Sequence, residues 1–151
     1  MSVADEIKEG LGEKITDWYE HAPKRIYFSV KPAFIKEVSS FLFKDLKLRF
    51  IIASAQQTKE GFEILYHFGY DKTGQIFSLR VMLEDKNNPQ IDSITPIIIG
   101  AEWIEREIWE LLGINFTGHP NLKHLLLIDE WPQGQYPLRH EHKHKRKEGK
   151  E

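Results

Sequence analysis

The sequence predicts an α+β fold: one domain with an antiparallel-rich sheet, helices on one face and an extended C-terminal arm. Three observations carry this expectation. Three β-rich stretches follow one another between residues 48 and 83, separated by short polar turns that end in Gly. Apolar residues at helical spacing bracket them on both sides. From 114 to 138, Gly118, Pro120, Pro132, Gly134 and Pro137 punctuate an apolar segment, which excludes a long helix or a central strand. At 151 residues, 40% of them hydrophobic and 12% aromatic, the chain is too apolar for disorder and large enough for one core.

The elements follow in order. Ile7, Leu11, Ile15, Trp18 and Tyr19 predict a first helix over 3–21, although Gly10 and Gly12 weaken its middle. RIYFSV at 25–30 is a strand by its β-branched and aromatic content. Pro32 suits a first helical turn, and Phe34, Ile35, Val38, Phe41 and Leu42 continue an amphipathic helix to about Leu46. Strands are expected at 48–56, 62–70 and 75–83. In the last, Phe77, Leu79, Val81 and Leu83 share one face. Residues 91–99 lead into a helix over 100–112, and Gly113 is placed to end it. The domain is expected to span 1–138, including an arm at 114–138, with a basic tail at 139–151.

Composition removes whole classes of function. The absence of Cys excludes disulfides, thiolate nucleophiles and cysteine-ligated iron–sulfur clusters in this chain. The longest apolar runs, 97–99 and 125–128, fall far short of the roughly 18 residues that span a bilayer. The N-terminus has no apolar signal segment, so secretion is not expected. Residues 139–151 hold six Lys and Arg against three Glu, which leaves the rest of the chain acidic. Such a division suits docking on a protein or an anionic surface better than sequence-specific nucleic-acid binding. His140, His142 and His144 in this tail read as solvated side chains rather than metal ligands.

Catalytic candidates are few. Glu105 and Glu107 are two apart on a helix and do not face each other. His67, His119 and His124 are isolated from any nucleophile or ligand partner in sequence, and neither a Walker A nor a GxGxxG pattern occurs. The helix at 100–112 is more informative. Glu102, Arg106 and Glu110 form an i, i+4, i+8 ladder of alternating charge, flanked by Trp103 and Trp109. Two readings stand side by side: a solvated charged face, and a helix packed on a partner. The arm poses the same choice. Leu122, the run at 125–128, Trp131 and Leu138 need burial, either on their own domain or along a neighbouring subunit.

Here the residues reach a known pattern. Glu105-Arg106-Glu107, then Glu110, Leu111, Leu112, His119, Lys123, Leu125 and Leu126, resemble the signature of the respiratory complex I 30 kDa subunit, the C subunit of bacterial NADH:quinone oxidoreductase. Trp131-Pro132 and Pro137-Leu138-Arg139 resemble its downstream segment, so the likeness covers about residues 24–140. Family members usually continue past this point with Lys-Asp and a longer tail. Here His140-Glu141 follows, and the 151 residues suffice for the shared domain and arm. The form DEWPQGQYPLR looks closer to relatives in energy-converting [NiFe] hydrogenases.

The resemblance implies a non-catalytic peripheral-arm subunit with no cofactor or metal of its own. The [NiFe] centre or iron–sulfur clusters would sit in partner subunits. Those partners would be the large subunit, holding the quinone-site or [NiFe] region, and the small iron–sulfur subunit. The chain would lie on the cytoplasmic face, meeting the membrane through the complex alone and binding no nucleic acid. By the same resemblance the docking residues would be Glu102, Trp103, Glu105, Arg106, Glu107, Trp109, Glu110, His119, Pro120, Lys123, Trp131, Pro137, Leu138 and Arg139. Arg106 would be an interface or ion-pair residue. A hydrogenase or related sulfur-reducing complex is expected first. An NADH-, ferredoxin- or reduced-deazaflavin-driven quinone-type reductase is the alternative. A standalone module that binds through the basic tail is the alternative of another class.

Overall fold

The computed structural model describes residues 1–142; the rest of the predicted basic tail, 143–151, lies outside the described residues. Helix α1, Val3–Leu11, starts on a capping box in which Ser2 Oγ accepts from the Asp5 amide at 3.1 Å and donates to the Asp5 carboxylate at 2.6 Å. It stops at Leu11, where a short 3₁₀ turn follows. The expected helix over 3–21 is therefore half helix and half strand. Strand β1, Ile15–Ala22, pairs antiparallel with β2, Arg25–Val30, and the Trp18 ring stacks on Phe28 at 5.5 Å. Two register irregularities in β1 break its alternation, which is why Ile15, Trp18 and Tyr19 mimic helical spacing.

Helix α2, Ile35–Ser40, is preceded by the 3₁₀ turn Pro32–Phe34 and extended by a π-helical turn, Phe41–Asp45, so the predicted helix to about Leu46 is present in mixed geometry. Strands β3, Arg49–Gln57, β4, Phe62–Tyr70, and β5, Gln75–Leu83, fall where the pattern places them and form an antiparallel meander. The sheet order is β1-β2-β5-β4-β3, with β2 and β5 parallel and every other pair antiparallel. The β2–β5 pairing joins two hairpin systems through strands that are distant in sequence.

One face of this sheet is the core. Phe28, Phe62, Ile64, Tyr66, Phe68, Phe77, Leu79 and Val81 are buried there with Ile7 of α1 and Ile35 and Val38 of α2. Helix α3, Glu102–Leu112, adds Ile108 and Leu112. The short parallel pair β6, Gln90–Asp92, and β7, Asn115–Thr117, brackets α3 in sequence and fixes where it enters and leaves. No helix among the described residues is long and apolar enough to cross a membrane.

Candidate docking site: helix α3 and its arm

Helix α3 ends at Gly113, which adopts the left-handed conformation at φ 74. A Cβ there would also lie 2.5 Å from a Tyr136 ring carbon and 2.7 Å from Arg139 Nη2. Gly113 therefore lets the end of the arm close over the end of the helix. Arg139 is buried at this point. Its Nε donates to the Leu112 carbonyl at 2.6 Å and Nη2 to that of Gly113 at 3.3 Å. The Leu138 amide donates to the Leu111 carbonyl at 2.9 Å. A guanidinium thus satisfies carbonyls at the helix C-terminus, where the helix dipole favours a cation. The same guanidinium stacks over Phe62 at 5.0 Å and Tyr136 at 4.6 Å.

The Glu102–Arg106–Glu110 stripe does a related job for residues 119–127, which run along α3 in the direction of the helix. At its first turn, His119 Nε2–H donates to the Glu102 carbonyl at 3.0 Å, while its Nδ1 accepts from the Asn121 amide, a pattern that fixes the tautomer. Asn121 also donates to the Glu102 carboxylate at 3.3 Å. One turn on, Arg106 donates to the carbonyls of Lys123, at 3.0 Å, and His124, at 2.7 Å. At the next turn the Glu110 carboxylate accepts the amides of Leu125, Leu126 and Leu127 at 2.9, 2.7 and 3.3 Å. The ladder does not pair with itself. Among the described residues none of its members forms an ion pair. Each side chain instead supplies hydrogen bonds that an irregular backbone cannot make alone. The arm that lacked a visible partner in sequence has one in its own helix.

Glu105 faces inward. Its carboxylate accepts from Ser93 Oγ at 2.6 Å, the Ile94 and Thr95 amides at 3.1 and 3.2 Å, and Thr95 Oγ1. Burial pushes its pKa above the ordinary 4.5, against the opposing pull of the bonds from Ser93 Oγ, Thr95 Oγ1 and the Ile94 amide. Nearby, burial and the Glu105 charge raise the Tyr66 phenol, whose hydroxyl has no hydrogen-bond partner among the described residues.

The expected docking residues thus divide. Glu105, Arg106, Glu110 and Arg139 are buried and spend their polar groups inside the chain. Glu102, Glu107, Trp109, His119, Trp131 and Pro137 are half-buried, with Trp109 packed on the His124 ring at 5.5 Å. Trp103, Pro120, Lys123 and Leu138 are exposed, Trp103 at 67% and Leu138 at 52%. Ile99, Leu126 and Ile128 join this outer set at 73%, 63% and 64%. Sequence reasoning missed Ser93, Thr95, Asn121 and Tyr136. No motif marks them; for Ser93 and Thr95 the available signal was Glu105, whose helical neighbours Ala101, Ile108 and Trp109 are apolar and which therefore had to find donors elsewhere.

Comparison with known proteins agrees with this architecture. The model of the respiratory-chain NADH dehydrogenase 30 kDa subunit family matches residues 28–148. The NADH-quinone oxidoreductase C subunit of Salinispora tropica is 31% identical over 89% of this chain and 61% of that protein. The corresponding C subunit of Chloroherpeton thalassium is 28% identical over 91% of this chain and 58% of that one. The chain therefore spans about three fifths of the length of these relatives. A C/D subunit of NADH-quinone oxidoreductase from Phocaeicola vulgatus is 35% identical over 54% of this chain and 15% of its own length. Among solved structures, the membrane-bound sulfane sulfur reductase, an archaeal respiratory membrane complex, contains a chain that superposes with a TM-score of 0.76 at 20% identity, over 89% of this chain and 80% of that one. A trypsin-resistant fragment of Nqo5 superposes at 0.67 and 20% identity, over 81% of this chain and all of the fragment. These two share the fold, and the family model covers most of the sequence: the chain belongs to the family of the respiratory-chain NADH dehydrogenase 30 kDa subunit.

Proposed function

We propose that this chain is a non-catalytic peripheral subunit of a complex-I-like membrane-bound oxidoreductase. In this reading it docks the large subunit and the iron–sulfur subunit on the cytoplasmic face and carries no cofactor itself. The observation that supports it is the division of labour on α3. Buried polar side chains brace the arm from within, while Ile99, Trp103, Leu126, Ile128 and Leu138 remain outside. A chain that fixes an irregular segment with buried charge, then leaves five large apolar side chains exposed to water, is built to be covered. The C/D relatives add support, because in their names the C portion shares one polypeptide with a D portion.

For the type of complex, the DEWPQGQYPLR segment favours an energy-converting [NiFe] hydrogenase or a related sulfur-reducing complex. A quinone-type reductase is the second reading, favoured by the curated relatives named as C subunits of NADH-quinone oxidoreductase. Purification of the native complex through this chain, followed by metal analysis and sequencing of the co-purifying large subunit, tests both. Nickel together with a large subunit that has two CxxC motifs supports the first reading. A nickel-free large subunit without those motifs excludes the hydrogenase and leaves the sulfur-reducing and quinone-type complexes, which reduction assays with polysulfide and with quinone on the purified complex separate. A chain that elutes alone from native membranes and extract overturns the proposal.

A further inference from the structure

The face of the sheet opposite the core carries a small hollow, remote from α3 and the arm. Strand alternation turns Arg25, Tyr27, His67, Ile76 and Ser78 to this face, because Ile26, Phe28, Tyr66, Phe68, Phe77 and Leu79 are buried on the other. Cross-strand register then sets side chains in two adjacent rows. Tyr27, Ser78, His67 and Ile52 make one row, and Arg25, Ile76, Gly69 and Arg49 the next. Gly69 leaves the second row without a side chain near its centre, and a Cβ there would lie 3.2 Å from Ile51 Cδ1. The outcome is a cavity of about 160 Å³, lined by Arg25, Tyr27, His67 and Ser78 together with three isoleucines, Ile51, Ile52 and Ile76. Its charge is one-sided. Among the described residues that line it none is acidic, and Arg25 forms no ion pair with any of them; Arg25 Nη2 donates to the Tyr27 hydroxyl at 3.5 Å. The neighbouring arginines are neutralised, Arg80 by Glu63 at 2.8 Å and Arg49 by Asp71 at 3.0 Å, while Asp17 and His21 of β1 stand beyond Tyr27. His67 Nδ1 lies 2.7 Å from the buried Ser78 Oγ, and Nε2 lies 3.4 Å from Ser54 Oγ. The ring is therefore held by one nitrogen, and the other has a long contact that a better acceptor can replace.

We propose that this hollow binds a small organic carboxylate, with its charge between Arg25 and His67 and its short alkyl chain on Ile51, Ile52 and Ile76. A guanidinium presents paired donors that match a carboxylate, and here it has no carboxylate of its own. The isoleucines select a ligand with an aliphatic part, because an inorganic anion would use the donors and leave them wet. The cavity is smaller than the roughly 300 Å³ at which sites for drug-sized ligands begin, so the ligand has few heavy atoms. Burial, and after it the Arg25 charge, holds His67 below its ordinary 6.5. A bound carboxylate offsets the Arg25 charge, so carboxylate binding and His67 protonation favour each other. The inference goes beyond the proposed function and does not depend on which complex the chain serves.

The test titrates the full chain with formate, acetate, butyrate and inorganic phosphate at fixed ionic strength, and follows the imidazole signals of His67 by NMR. Butyrate is expected to give a saturable shift. Affinity should rise from acetate to butyrate by roughly threefold per methylene, the scale of apolar area covered by the isoleucines. Butyrate should also bind more tightly at about pH 5.5 than at about pH 7.5, as the linkage to His67 requires. Arg25→Gln should weaken butyrate at least about tenfold, the scale of a charge-assisted pair of hydrogen bonds. Its thermal midpoint should stay at the wild-type value, because the Arg25 side chain is exposed. Gly69→Val, which puts a branched side chain into the hollow, should remove the saturable shift. A linear shift with butyrate, an affinity for phosphate or formate equal to that for butyrate, or wild-type affinity in Arg25→Gln overturns the inference.

Discussion

Glu105 concentrates the physical tension of the site at one carboxyl group. Burial favours its neutral form, while hydrogen bonds from Ser93, Ile94 and Thr95 favour its charge. Burial wins, so the folded pKa lies above the unfolded one. As pH rises through about 4.5 the unfolded chain loses its proton first and the folded chain still holds one. Stability contributed by this group is full below that pH and is lost as pH climbs through the raised folded value. Glu105→Gln is expected to abolish this decline, giving a flatter urea-midpoint profile over the acid range than wild type. Glu105→Ala should instead destabilise at all pH values by about 3 kcal/mol, because it strands buried donors. Gly113 makes a sharper residue-level claim. Gly113→Ala places a methyl against Tyr136 and Arg139 at a positive φ, and it should cost about 2 kcal/mol. Calorimetric midpoints of wild type and variant check this directly.

At the scale of elements, α3 and the arm behave as one unit because the helix supplies the arm's missing hydrogen-bond partners. Glu110→Gln removes the acceptor charge that holds three amides, and Arg106→Met removes two donors. Hydrogen exchange should therefore accelerate at Leu125, Leu126 and Leu127 in Glu110→Gln while protection in β4 and β5 stays at the wild-type level. Equal acceleration in the sheet would mean that the brace supports the whole fold rather than the arm. The sequence makes the central elements legible for a physical reason. The β3–β5 strands join through short polar turns, so alternation and turn chemistry are both local. It misleads at β1, an edge strand whose register irregularities imitate a helical repeat and whose pairing with β2 buries little of it. The parallel β2–β5 contact has no local signature at all. The site divides the same way. The signature residues stand out by type and spacing, but whether a charge at Arg106 meets a partner protein or its own arm depends on where residues 123–124 pass. Nothing in the helix sequence encodes that path.

At the scale of the whole molecule, two apolar populations have separate tasks. Phe68, Ile64 and Leu79 are fully buried within the sheet's covered face, whereas Ile99, in the 3₁₀ turn that leads into α3, and Trp103, in the first turn of α3, are 73% and 67% exposed. If the second population served the fold, its loss would register in the free chain. Water already covers most of its surface, so Ile99→Ser with Trp103→Ser should change the unfolding free energy of the free protein, read by urea titration, by no more than about 0.5 kcal/mol. Phe68→Ala, by contrast, opens a void in the core and should cost about 3–5 kcal/mol. In the assembled complex the order should reverse its meaning. Burying an indole and an aliphatic side chain together is worth several kcal/mol, so, if this face docks the proposed partner subunit, that partner should retain the double serine variant at least about a hundredfold less well while the variant folds normally. A double variant that unfolds the free chain would place Ile99 and Trp103 in the fold's own stability. One that folds and assembles as well as wild type would place the docking face elsewhere on the molecule. Normal folding with lost assembly is the outcome the geometry predicts, because both side chains already stand in water in the free chain.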